Sequence, residues 1–220
     1  MSDKENSATR APGVLPVQPG GGCCRAAGGP ESPARRLLLK AALGAGVALP
    51  LADGLLNPAL ADDAAARARP AEGDLFVYAD GDKLGEEIAP ADIPLGGPQV
   101  QAWAKDPKTG TVRDGSRLNQ LLLLRFEPDK LAEQTRAHAA EGIVAYSAIC
   151  THAQCPVSEW REDRSVLHCP CHNSEFNPLD GAHVVNGPAL RQLAALPVRI
   201  ADGKLVVAGK FIGKIGNQAG

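Results

Sequence analysis

Four of the six cysteines in this 220-residue chain, Cys150, Cys155, Cys169 and Cys171, fall within 22 consecutive residues. Two of the five histidines, His152 and His172, share the stretch. Clustering of this kind calls for a metal site or a local disulfide, which ties the fold to two loops brought face to face. The first box reads Cys150-Thr151-His152-Ala153-Gln154-Cys155-Pro156 and the second Cys169-Pro170-Cys171-His172-Asn173-Ser174. Thiolate and imidazole suit zinc, iron and iron–sulfur clusters. Cys150 and His152 can face the same way in an extended loop. Cys169 and His172 are brought together by a tight turn that Pro170 stiffens. Each box keeps a spare cysteine, and in an oxidising compartment Cys155 and Cys171 could form a disulfide. The same four donors could make a tetrahedral structural zinc site.

The rest of the chain reads as a scaffold for those loops. Gly (24) and Pro (18) are plentiful and aromatics scarce (4 %), which favours short strands joined by turns. Strands are expected at Leu75–Ala79, Val100–Lys105, Leu121–Phe126, Ile143–Ile149, Val166–His168, His183–Val185, Leu196–Ile200 and Leu205–Ala208. Asp80-Gly81 and Asp202-Gly203 supply turn signals. One helix is expected over Pro128–Ala140, with Pro128 at a first helical position and Gly142 as the stop. The sum is a mainly all-β, antiparallel protein with one short helix. A net charge of −2 points to neither nucleic acid nor an anionic membrane as partner.

Residues 1–61 read as an address rather than a fold. A polar, Gly/Pro-rich stretch precedes Arg35-Arg36, the apolar run Ala41–Ala52, and Pro58-Ala59-Leu60-Ala61, with small residues at the −3 and −1 positions of a cut after Ala61. The arginine pair looks like a twin-arginine signal. The apolar run of 12 residues is shorter than the roughly 20 a spanning helix needs, so a cleaved export signal is expected over a retained anchor. Cys23 and Cys24 would leave with the leader. Residues 62–72 read as a linker, 73–213 as the domain, and 214–220 as a C-terminal tail.

The pattern C-x-H-x16-C-x-x-H, with an extra cysteine in each box, resembles the Rieske family of [2Fe–2S] proteins, in its exported, disulfide-containing branch. Asn186-Gly187-Pro188-Ala189-Leu190 looks like that family's proline loop. The resemblance covers roughly residues 73–213 and is strongest over 143–190. It implies an antiparallel β-sandwich or barrel carrying an inserted cluster-binding subdomain, about residues 146–190. It implies Cys150 and Cys169 as ligands of an inner iron, His152 and His172 as ligands of an outer iron near the surface, and Cys155–Cys171 as a disulfide. His138, His168 and His183 are expected to be ordinary surface or core residues.

Around the ligands the resemblance assigns tuning groups. Ser174 holds the position whose hydroxyl donates to a cluster sulfur in high-potential relatives. Phe176 stands where those relatives have a tyrosine, which implies a lower potential here. Gly187 and Pro188 cover the cluster, and Leu190 replaces the loop's second proline. Quinol-oxidising relatives carry Leu-Gly where this chain has Ala153-Gln154, which weighs against a quinol contact. The implied role is one-electron transfer with no substrate site of its own. The first expectation is a small subunit of a periplasmic oxidoreductase, similar to the arsenite oxidase small subunit, between a larger catalytic redox subunit and a cytochrome c. The second is the iron–sulfur subunit of a cytochrome bc complex, in which the apolar segment would stay as a membrane anchor.

Overall fold

The structure is a computed structural model that describes residues 58–217. Residues 1–57, with the arginine pair and the apolar run, lie outside the described residues, and the last four residues of the expected leader, 58–61, open α1. In chain order the elements are helix α1 (Pro58–Arg67), β1 (Leu75–Tyr78), β2 (Val100–Lys105), β3 (Leu121–Arg125), helix α2 (Glu133–Arg136), β4 (Ile143–Ser147), β5 (Glu159–Arg161), β6 (Val166–Cys169), β7 (Ser174–Asn177), β8 (His183–Asn186), β9 (Val198–Ala201) and β10 (Lys204–Val207). Among the described residues no helix is long and apolar enough to cross a membrane.

The strands form two antiparallel sheets. The base sheet runs β4-β3-β2-β1-β10-β9, and the second runs β5-β6-β7-β8. All four strands of the second sheet fall between β4 and β9 in sequence, so it is an insertion, as the resemblance implied. The chain leaves the base after Ser147 and returns along it: Ser147 N–H donates to Ala194 O (2.8 Å) and Leu196 N–H to Ala145 O (2.9 Å). That return strip leads into β9 and curls the base sheet toward a barrel. The central strand β3 buries Leu121, Leu122, Leu123 and Leu124 completely, as its continuous apolar run predicts. Leu122 and Leu124 pack toward the cysteine loops, whereas Leu121 and Leu123 pack into the base with Phe76, Ile88 and Val207. One strand thereby joins both cores. The buried Tyr146 phenol, its ionisation pushed above the ordinary tyrosine value by burial, donates to Pro178 O (2.8 Å) and ties β4 to the inserted sheet.

Three expectations change. The helix over Pro128–Ala140 breaks into a 3₁₀ turn at Pro128–Lys130 and the four residues of α2. Tertiary bonds take its backbone: Ala132 N–H donates to Leu179 O (3.0 Å), and Ala140 and Ile143 exchange both main-chain bonds in a tight turn. The expected linker is helical as far as Arg67 and docked. Asn119, fully buried, donates to Ala68 O (2.8 Å), Arg113 O (3.0 Å) and Arg67 O (3.5 Å), and its Oδ1 accepts from Arg69 (3.2 Å). Gly115 N–H caps Ala66 O (3.1 Å). The last carbonyls of α1 thus find donors on the domain rather than in water. Of the expected C-terminal tail, the described residues 214–217 are likewise bound, with Ile215 buried against Ile149 and Ala194.

Candidate metal centre

Strand β4 delivers the chain to the first box, where Cys150 N–H donates to Cys155 O (2.9 Å) and Gln154 N–H to Cys150 O (3.1 Å). The second box is the loop between β6 and β7, closed by the paired residues Cys169 and Ser174. Asn173 N–H donates to Cys169 O (3.0 Å) across it. Cys150 and Cys169 are buried and free, whereas His152 is half-buried and His172 exposed. Their rings stand edge to face with centroids 4.6 Å apart. Cys155 and Cys171 form the expected disulfide, with Cα atoms 6.5 Å apart, and it clamps the two loops together. The metal-like grouping of Cys155, Cys169 and Cys171 reduces to this bridge beside one free thiol.

The free donors fit a cluster of the implied kind. His152 Nδ1 is buried and unpartnered, an arrangement that costs free energy unless something outside the protein binds the atom. Burial pushes the Cys169 thiol above its ordinary value, and the neighbouring Cys150 thiol adds to that. The N–H groups of Cys171 and His172 donate to the same sulfur and act in the opposite sense. Two adjacent buried thiols with main-chain donors pointing at one of them form a site prepared for negative sulfur. A structural zinc would use the same four donors but would have no need of the covering loop.

That loop is seated closely. Gly187 has φ +85°, and a Cβ there would lie 2.5 Å from both Asn173 O and Ser174 Cα. Only glycine lets the proline loop come down on the second box. Ala189 N–H then donates to Ser174 Oγ (3.2 Å), which leaves the Ser174 hydroxyl proton free for another acceptor. Pro188 is exposed, and Leu190 is 92 % exposed at the loop's edge. Phe176 lies on the same face of β7 as Ser174 and is wholly buried in the core that includes Cys150 and Cys169. Glu175 points the other way, and its buried carboxylate is met by both Arg164 Nη groups.

Further residues support the site without a motif to announce them. Thr151 Oγ1 donates to Arg191 O, which fastens the first box to the proline loop. Gln154, at φ +59°, accepts from Arg117 through its main-chain oxygen (2.9 Å) and bonds Asn217 through its amide. His168 is buried, with Glu159 on one ring nitrogen and Asn173 on the other. His183 Nδ1 lies 2.9 Å from Asp180 O, and His138 O accepts from Val198 N–H (3.1 Å).

Two buried thiols inside, two imidazoles outside and a disulfide across the loops make a donor set that suits a mixed-ligand iron–sulfur cluster. Residues 103–197 match the family described as "Rieske [2Fe-2S] domain", and the chain carries a domain of that family, which binds a [2Fe–2S] cluster. It is 40 % identical over 106 residues to a putative respiratory nitrate reductase subunit Rieske of Haloferax mediterranei, covering 47 % of each chain. It is 41 % identical over 98 residues to a cytochrome bc1 complex Rieske iron–sulfur subunit of Streptomyces lividans, covering 44 % of this chain and 58 % of that one. The chain therefore spans about half the length of these relatives. Among solved structures, the cyanobacterial plasma membrane Rieske protein of Synechocystis is 22 % identical, with a TM-score of 0.33, and the match covers 50 % of this chain and 86 % of that one.

Proposed function

We propose that this chain carries single electrons through a [2Fe–2S] cluster held by Cys150, Cys169, His152 and His172, as the small subunit of an exported oxidoreductase. The observation that carries the reading is the disposition of the four donors, with both thiols buried and the imidazoles 4.6 Å apart at the surface. Bound there, the cluster supplies one-electron redox chemistry at potentials of about −150 to +300 mV, above the roughly −400 mV of all-cysteine plant ferredoxins.

The chain's own residues hold and shield that group. Cys150 and Cys169 fix the buried end, where main-chain N–H groups meet the Cys169 sulfur. Ser174 is placed to offer a hydroxyl proton from the covered side. His172 is exposed and His152 half-buried beside it, so a redox partner would approach from this end of the site.

The partners are a larger catalytic redox subunit on one side and a cytochrome c on the other, in the periplasm after twin-arginine export. Support for a fixed small subunit comes from residues 62–70, held to the domain by Asn119, Gly115 and Arg69. A cytochrome bc subunit is the second reading, favoured by the relatives that carry that name. Low-temperature EPR of the dithionite-reduced protein, with iron and zinc analysis of the same sample, tests the cluster. A rhombic signal with low average g and two irons per chain is expected. A silent spectrum with one zinc would overturn it. Sequencing the mature N-terminus separates the two partner readings: Asp62 fits the exported subunit, and a retained leader fits the anchored one.

A further inference from the structure

We propose that Glu159 and His168 are positioning residues for the cluster ligand His172, acting through the side chain of Asn173. His172 sits in a four-residue loop, 170–173, whose members are all exposed. Packing therefore does little to fix the ring. The loop is held by the disulfide at Cys171, by the main-chain bond from Asn173 to Cys169 O, and by what Asn173 does.

Asn173 takes φ +59°, the left-handed region that a residue with a Cβ enters at a cost. Its side chain turns back under the loop, with Oδ1 3.2 Å from Nε2 of His168. His168 is 2 % exposed, so its ring is a fixed point rather than a surface rotor. On the opposite edge His168 Nδ1 lies 2.8 Å from Glu159 Oε2, between residues paired directly across β5 and β6. The line Glu159–His168–Asn173 thus runs from the sheet to the residue following the ligand. It sets the direction in which the backbone leaves His172. The same residue's carbonyl is the floor on which Gly187 rests, so one anchor serves both the ligand and its cover.

The competing account is a satisfied core histidine that contributes stability alone. A double-mutant cycle separates the two. Glu159→Ala and His168→Gln would be made in the wild type and in an Asn173→Gly background. Glycine adopts the loop's φ without a side chain to anchor. Midpoint potential and the half-life of iron release to a chelator would be read for each, with melting temperature recorded alongside. In the wild-type background both substitutions should shift the potential and shorten iron retention by at least about tenfold, the usual scale for lost ligand support. In the Asn173→Gly background neither should add anything to potential or retention. Effects that persist undiminished there, or single variants that lower melting temperature while leaving potential and retention unmoved, would overturn the inference. The inference rests on the cluster reading, and the wild-type spectrum judges that reading separately from the cycle.

Discussion

Gly187→Ala is the substitution whose consequence the structure works out most fully. A Cβ at this position would sit 2.5 Å from Asn173 O and from Ser174 Cα, both of them backbone atoms that cannot rotate away. Ordinary contact begins near 3.5 Å, so the proline loop has to rise by about 1 Å. The second box will not yield instead, because Ser174 is paired to Cys169 in the β6–β7 ladder. A rise of that size stretches the Ala189 N–H to Ser174 Oγ bond from 3.2 Å to beyond hydrogen-bond range. The backbone penalty of φ +85° for a residue with a Cβ is about 1–2 kcal/mol, and the lost bond adds about 1 kcal/mol, for roughly 2–3 kcal/mol altogether. Gly203 provides the control. It has φ +74° in the two-residue turn between β9 and β10, and a Cβ there would meet nothing within 4 Å. Gly203→Ala therefore carries the backbone penalty alone, about 1–2 kcal/mol. Amide hydrogen exchange gives the local reading. Ala189 should exchange about tenfold faster in Gly187→Ala, at about 1.4 kcal/mol per tenfold, and be unchanged in Gly203→Ala. Equal losses of stability in the two variants, with Ala189 exchange unmoved in both, would refute the close-approach argument.

Three other outcomes are expected. Phe176→Tyr places a hydroxyl in the core beside Cys150 and Cys169; a bond strengthened by about 1 kcal/mol in the reduced state raises the midpoint by about 40 mV, and redox titration showing an unchanged or lower potential counts against the tuning role. Cys155→Ser removes a bridge that closes a loop of sequence separation 16; the denatured chain regains about 3 kcal/mol of freedom, so iron should be released faster on warming, and equal release rates would contradict the clamp. Asn119→Ala leaves the Arg67 and Ala68 carbonyls without their buried donor, which should cost about 1–3 kcal/mol and open residues 58–70 to proteolysis, whereas unchanged cleavage would show that the segment is held by other contacts.

The four donors proposed to hold the cluster could be picked out from sequence because metal chemistry restricts residue type and spacing together. Cys150, His152, Cys169 and His172 have few substitutes, and the disulfide of Cys155 with Cys171 was implied by the family resemblance that the two boxes carry. The longer strands were legible for a related reason: Val100–Lys105 alternates and Leu121–Leu124 is apolar throughout, so each reports its own burial. Strands β5 and β7 were missed, and both are defined by their neighbours. Glu159–Arg161 exposes two of its three residues, and Ser174–Asn177 looks polar, yet each pairs with β6. The helix over 128–140 failed because its donors are claimed by Leu179 O and by the Ala140–Ile143 turn, which no local propensity records.

The supporting groups were hidden because their function lies in long-range geometry. Asn119 reads as one more polar residue in a loop, yet it is fully buried and spends its amide on three carbonyls, two of them about fifty positions away. Arg117, two residues earlier in the same 3₁₀ turn, reaches Gln154 inside the first cysteine box. One short turn therefore grips both the segment that follows the leader and the loop that carries His152. Gln154 needs that grip, because it holds φ +59°, a left-handed conformation that a residue with a Cβ enters at a cost. The anchoring of the N-terminal segment and the bracing of the first cysteine box therefore depend on the same short turn, Arg117–Asn119.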